Sequence, residues 1–256
     1  MKDAGLITGA SSGIGRALAF EHARRGRDLI VVARSEQELN DLASELRHRY
    51  GVEVRVIAKD LTEAGSRQEL FDEIEGQGIE LTYLFNNAGF GGKGNFVDQE
   101  WKMLEGMMRL NMEAVAELLH LFLPGMVARG QGKVLNTAST AGYLPGPLQA
   151  VYFATKAFVI SLSKAVASEL DGTGVTVTVL SPGAVDTGFA DTAGLADSKL
   201  FESAATPETT AAQGYTAMEA GRLEVITEVG LAIAIKGIVP FLPQRLGLWA
   251  IKKIQS

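Results

Sequence analysis

Leu6-Ile7-Thr8-Gly9-Ala10-Ser11-Ser12-Gly13-Ile14-Gly15 is the stretch from which the rest of the chain can be read. Two strand-forming apolar residues run into a turn carrying Gly9, Gly13 and Gly15, and a helical pattern starts near Ile14. Glycine permits positive φ, lets the backbone approach a pyrophosphate, and lets a helix pack tightly on the strand before it. The start of that helix offers unpaired N–H groups and a partial positive charge to phosphate. At the first strand–helix turn, with no strand before it, this pattern marks the entry of a dinucleotide-binding fold. Gly9, Ser11, Ser12, Gly13, Ile14 and Gly15 are therefore candidate dinucleotide contacts.

Working outward, short β-branched runs alternate with longer amphipathic stretches. Leu29–Val32, Val52–Ala58, Leu81–Phe85, Val134-Leu135 and Val175–Leu180 read as strands. Leu39, Leu42, Leu46 and Tyr50 recur at helical spacing, as do Met103, Met107, Leu110, Ala114, Leu118 and Leu121, then Val159, Leu162, Val166 and Leu170. Such alternation predicts an α/β fold, a Rossmann-type doubly wound parallel sheet with helices on both faces. No repeat or linker divides residues 1–256, which read as a single domain. Residues 183–215 break the rhythm with Ala, Thr, Gly and Asp, and predict a substrate lid, a plain surface excursion being the alternative. Residues 229–256 form an apolar C-terminal extension, read as a buried or partner-facing element, with loose membrane association as the lesser reading.

Composition bounds the function. The 256 residues hold 24 Lys and Arg against 30 Asp and Glu, a net charge of −6. This acidic balance argues against nucleic acid as a partner, and the 46% hydrophobic content argues against disorder. The absence of cysteine excludes disulfides, thiolate catalysis and Cys-based metal sites, and fits a cytoplasmic protein. No signal peptide is readable at the N-terminus, and Val229–Ile235 is too short to span a membrane. His22, His48 and His120 have no metal-ligand spacing and read as structural or solvated.

The second strand closes with Val31-Val32-Ala33-Arg34-Ser35. A site that prefers NAD usually has a carboxylate there for the ribose hydroxyls. Arg34 stands one step on instead, and a guanidinium can pair with a 2′-phosphate and stack on adenine. NADP(H) is the expected cofactor, with NAD(H) use left open.

Tyr152 and Lys156 are four residues apart on a helix that runs through Leu170, so they share one helical face. A free tyrosine has a pKa of about 10, and a neighbouring ammonium favours its phenolate. Together with the motifs already quoted, the pair makes the chain resemble the short-chain dehydrogenase/reductase family in its single-domain branch. The resemblance runs in order from Ala4 to about Thr187 through Asp60-Leu61, Asn87-Ala88-Gly89, Asn111, Ser139 and Pro182-Gly183. It implies an enzyme that interconverts a carbonyl and an alcohol. Tyr152 would be the general acid and base, Lys156 would lower its pKa and hold the nicotinamide ribose, and Ser139 would bond the substrate oxygen. Asn111, through its main-chain carbonyl and a water, would relay protons to Lys156. Asp60 would meet the adenine amino group, while Val185 and Thr187 would hold the carboxamide. The bland alternatives are a helix-interior amide at Asn111, a cap at Ser139 and a turn at Asp60. Family members are commonly homodimers or homotetramers, which is the expectation here.

Two departures stand out. Ala138 precedes Ser139 where many relatives have a second serine, and Ser12 stands in the glycine turn where some NADP-preferring members have a basic residue. Phosphate selectivity would then rest on Arg34, with Ser35 or Arg16 as possible help. Phe90–Gly94 reads as a loop bordering the substrate or as a plain turn, and Ala190, Leu195, Leu200 and Phe201 suggest an apolar substrate. The competing function is an NAD(P)-binding regulatory protein of the same fold without catalysis.

Overall fold

The computed structural model describes the chain apart from residues 2, 190–193, 195–203, 239–240, 242 and 256. Its six longer strands are β1 (Ala4–Thr8), β2 (Leu29–Ala33), β3 (Val54–Ala58), β4 (Leu81–Asn86), β5 (Gly132–Thr137) and β6 (Val175–Ser181). A short β7 (Glu224–Ile226) completes a parallel sheet of order β3-β2-β1-β4-β5-β6-β7. The order reverses between β1 and β4, so the carboxyl ends of those two strands open a crevice where such sheets bind ligands.

Helices follow as α1 (Gly13–Ala23), α2 (Glu36–Tyr50), α3 (Ser66–Glu75), α4 (Trp101–Met108), α5 (Ala114–Arg129), α6 (Ala150–Glu169), α7 (Pro207–Glu219), α8 (Val229–Ile233) and α9 (Gln244–Gln255). Alternate strand residues feed opposite faces of the sheet. Leu6, Ile30 and Val32 join one core with Leu118, Phe122 and Val159. Ile7, Leu29 and Val31 join the other with Leu18, Leu42 and Tyr215. Both faces are covered, which is why these strands read as unbroken apolar runs. The segments Trp101–Arg129 and Ala150–Glu169 are long and apolar enough to cross a membrane by composition, but each packs one face into this core.

Local signals explain the boundaries. The Ser35 hydroxyl accepts the Glu38 N–H at the start of α2, Glu36 and Glu38 lie in its first turn, and Gly51 closes it at φ 66°. α7 corrects the reading of 183–215, since its residues 207–215 are helical rather than irregular. Thr206 caps it by accepting the Thr209 N–H, and Pro207 takes its first position. Its buried face is Thr210, Ala211, Gly214, Tyr215, Ala217 and Met218, too small and polar to show an apolar period. Ala190, Leu195, Leu200 and Phe201 lie outside the described residues.

A polar knot ties α7 to the sheet. His22 is fully buried, and its Nε2 faces the Asp3 carbonyl at 3.2 Å, which can only accept. Nδ1 is then the acceptor for the Tyr215 hydroxyl, 2.8 Å away, and Arg27 donates to that hydroxyl at 2.6 Å. Burial and the Arg27 charge bring the His22 pKa down to about 3. Of the three histidines read as structural or solvated, His22 is buried and structural, while His48 and His120 are exposed.

Candidate active site

The glycine turn is shaped by contacts that side chains would block. Gly9 and Gly13 have φ of 66° and 52°. A Cβ at Gly9 would lie 2.9 Å from Ala88 Cα, and one at Gly13 would lie 2.9 Å from Thr187 Cγ2. At Gly15 a Cβ would stand 2.6 Å from Asn87 Nδ2 and collide with the Gly9 carbonyl. The turn is thus pressed between the loops that follow β4 and β6. Thr8 organises the first of these, because its hydroxyl accepts the N–H groups of Asn87 and Ala88 at 3.0 and 3.1 Å. Asn87 donates to the Thr8 carbonyl at 3.2 Å and accepts from the Thr137 hydroxyl. Ser11 and Ser12 line the turn, Ile14 opens the first turn of α1, and Ser12 leaves the helix start uncapped by its side chain.

Just after β2, Arg34 is exposed and forms no salt bridge among the described residues. The neighbouring cation Arg16 is held by Glu45 at 2.6 Å, and Ser35 is committed to capping α2. Asp60 makes an Asx turn, one carboxylate oxygen accepting the N–H and hydroxyl of Thr62 at 2.9 and 2.7 Å, and Leu61 is buried beside it. The turn expected as the bland alternative for Asp60 is therefore present, with the second oxygen uncommitted to that turn.

Tyr152 and Lys156 sit in the first two turns of α6, 8% and 5% exposed, so both meet the core rather than solvent. Lys156 Nζ lies 5.8 Å from the centre of the Tyr152 ring and donates to the Thr137 carbonyl at 2.9 Å. Burial pushes the Tyr152 phenol up to about 12, opposed by a hydrogen bond with Ser139, and brings Lys156 down to about 8. The lysine was expected to lower the tyrosine. The causes acting on Tyr152 are burial, which raises it, and the Ser139 hydroxyl, which opposes it, and the phenol is neutral at pH 7.

Ser139 faces this pair from the end of β5. Its oxygen accepts the Ala141 N–H at 3.1 Å, and its hydroxyl approaches the Pro182 carbonyl at 3.4 Å. It is both the cap of the following turn and a partner of Tyr152. Asn111 lies in a π-helical turn, Arg109–Glu113, between α4 and α5. Its side chain is buried and fully engaged: Nδ2 donates to the Phe90 carbonyl at 2.9 Å and to the Thr155 hydroxyl at 3.1 Å, while Oδ1 accepts the Phe90 N–H. Only its main chain is left to serve a relay. Gly89 passes close by, since a Cβ there would lie 3.0 Å from Asn111 Oδ1 and 3.5 Å from Lys156 Nζ.

The loop after β6 closes the site. Pro182 and Gly183 lead to Val185, which is buried and bridges to Ala205, and to Thr187 beside Gly13. Sequence reasoning missed Glu228, whose carboxylate packs against Gly183 and has its pKa raised by burial. It also missed Glu224, which takes Lys164 at 2.6 Å together with Lys236 and the Tyr143 hydroxyl, and whose pKa those partners bring down to about 2 against the cost of burial. Neither glutamate lies in a recognisable motif.

An apolar wall surrounds Tyr152. Met107 and Phe153 form its buried part, with Phe90, Leu144, Phe189 and Ile251 packed against them. The Phe189 ring lies 5.3 Å from that of Tyr152. The Phe90–Gly94 loop is thus a border of the site. Leu144 and Phe153 also line an open groove of about 520 Å³ that reaches Leu248.

Comparison with known proteins agrees with this geometry. A family model described as short chain dehydrogenase matches residues 4–197. The chain is 36% identical over 183 residues to the very-long-chain 3-oxoacyl-CoA reductase of Anas platyrhynchos, a match covering 69% of this chain and 58% of that protein. It is 34% identical over 179 residues to the 7beta-hydroxysteroid dehydrogenase of Collinsella aerofaciens, covering 70% and 67%. A solved short-chain dehydrogenase from Sphingobium yanoikuyae, in complex with NADPH, superposes with a TM-score of 0.82 at 30% identity, covering 94% of this chain and 96% of that one. With its glycine turn, its Ser–Tyr–Lys cluster and its seven parallel strands in this order, the chain belongs to the short-chain dehydrogenase family.

Proposed function

We propose that this chain is an NADP(H)-preferring oxidoreductase that interconverts a ketone or aldehyde with its alcohol. The observation that carries this is the buried cluster in which the Tyr152 phenol meets the Ser139 hydroxyl one helical turn from the Lys156 ammonium. The dinucleotide would lie on the turn of Gly9, Gly13 and Gly15, whose bare backbone packs against the loops after β4 and β6, with Arg34 toward the ribose and Asp60, Asn87, Gly183, Val185 and Thr187 along its length. When bound, it supplies or accepts the hydride.

The chain's own residues handle the oxygen and the proton. The Ser139 hydroxyl bonds the substrate oxygen and steadies the charge that builds there. Tyr152, neutral at working pH, gives its proton to that oxygen and takes it back in the reverse direction. The Lys156 ammonium stabilises the phenolate left behind and bonds the ribose. When Lys156 returns a proton to the phenolate, water held at the Asn111 main-chain carbonyl, in its opened helical turn, replaces that proton on Lys156 from solvent. Met107, Phe90, Leu144, Phe189 and Ile251 exclude water and favour an apolar substrate, a class into which the acyl and steroid compounds named for two relatives fall. We place the enzyme in the cytoplasm as a homodimer or homotetramer.

The test is oxidation of NADPH and NADH by purified protein with a panel of steroid ketones, 3-oxoacyl thioesters and aromatic ketones. Turnover is expected with at least one, falling about 100-fold or more in Tyr152→Phe with NADPH binding retained. Full activity in that variant would overturn the assignment. Tight NADPH binding with no turnover across the panel would favour a regulatory, non-catalytic protein.

A further inference from the structure

The C-terminal segment has a composition unlike the rest of the chain. All 30 Asp and Glu lie before residue 229, whereas 229–256 hold Lys236, Arg245, Lys252 and Lys253 and no acid. The same segment exposes large apolar side chains: Val229 is 74% exposed, Ile233 62%, Phe241 85% and Trp249 61%. Residues 245, 249 and 252 follow one another at four- and three-residue steps along α9, so an aromatic–cationic stripe lies along one side of it, and exposed Phe241 stands just before the helix. Arg245, Trp249, Lys252 and Lys253 are all exposed, and Lys253 Nζ stands 5.4 Å from the Trp249 ring centre. The opposite side turns inward, with Gln255 buried and Ile251 packed toward Tyr152 and Phe153.

Exposed apolar residues elsewhere differ in their company. Phe96, Val97 and Trp101 are interleaved with Asp98 and Glu100, which an anionic surface would repel. The α9 stripe has only cations. A two-fold pairing of α9 with a second copy would bring those cations together, whereas a negatively charged surface meets both the cations and the aromatic groups. A helix with Lys and Arg beside Trp and Phe is the form that lies in a membrane interface.

We propose that Phe241, Arg245, Trp249, Lys252 and Lys253 dock this protein reversibly on an anionic phospholipid bilayer, with α9 in the headgroup plane. The inner face of the same helix borders the apolar wall at Tyr152, so docking holds that wall at the lipid surface, where apolar molecules concentrate. The binding does not depend on the proposed catalysis and is measured without turnover.

The experiment uses the full chain carrying Trp101→Phe, so that Trp249 is the sole tryptophan reporter. It is mixed with vesicles of phosphatidylcholine alone or with about one-third phosphatidylglycerol. Expected results are co-sedimentation with the anionic vesicles at least about tenfold above the neutral ones, a blue shift of Trp249 emission, and reversal by high salt. Arg245→Glu with Lys253→Glu should remove the anionic preference, and Phe241→Ser with Trp249→Ser should abolish binding. Thermal unfolding of each variant confirms the fold. Absence of vesicle binding, or equal binding to both lipids unaffected by the charge reversals, would overturn the proposal. So would a smaller oligomer in the variants without any vesicle binding, which would make this face a contact between copies.

Discussion

Arg34→Ala isolates the origin of cofactor choice. Arg34 follows β2 directly, is exposed, and forms no salt bridge among the described residues. The help expected from its neighbours is already spent, since Arg16 pairs with Glu45 at 2.6 Å and the Ser35 hydroxyl caps α2. On the proposed reading, a 2′-phosphate would meet the Arg34 guanidinium. A hydrogen-bonded charged contact contributes about 1.5–3 kcal/mol, and solvent exposure argues for the lower end. At about 1.4 kcal/mol per tenfold, loss of Arg34 should weaken NADPH binding by about 10-fold and leave NADH within about twofold. Fluorescence titration of both reduced dinucleotides against wild type and variant measures this directly. Rising salt should narrow the difference, because the pair is exposed. An equal loss for both cofactors would show that Arg34 acts on the adenine or the fold. No loss for either would refute the argument.

Gly15→Ala should unseat the glycine turn, because the added Cβ meets the Gly9 carbonyl and Asn87 Nδ2, the latter bonded to the Thr8 carbonyl. A stability loss of about 1–3 kcal/mol and weakened NADPH binding are expected by urea unfolding and titration. Lys156 has its folded pKa brought down from 10.5 to about 8, so between those values the unfolded chain holds the extra proton. Wild type should therefore gain stability relative to Lys156→Met as pH rises through that window, read as the difference in Tm. His22, brought down from 6.5 to about 3, has the same sign at lower pH. Wild type should lose stability relative to His22→Gln as pH falls from 6.5 toward 3, since only the unfolded chain takes up the proton. A flat difference in urea midpoints would refute the buried neutral imidazole.

The strands around Ile7, Ile30 and Leu84 were legible because both of their faces are apolar, and the glycine turn because its spacing answers to backbone geometry. β7 escaped notice, being three half-buried residues that include Glu224. α3 was hidden by the charged residues interleaved with Leu70 and Ile74. α7 announced itself only through Thr206 and Pro207, since Gly214 has to be small where a Cβ would lie 2.8 Å from Leu180 Cδ2. Of the expected lid, 190–193 and 195–203 lie outside the described residues and 207–215 belong to α7, so its role stays an expectation.

Family, the alternation of strands and helices, and the alignment of Tyr152 with Lys156 follow from patterns a few residues long, because helical pitch, strand pleat and glycine turns are local properties of the backbone. The protonation of that pair, the isolation of Arg34, the burial of His22 against a tyrosine 193 positions away, and the outward face of α9 do not. Each depends on which side chains distant in sequence reach the same volume and remove or supply water, charge and hydrogen bonds there. That is a property of packing in three dimensions.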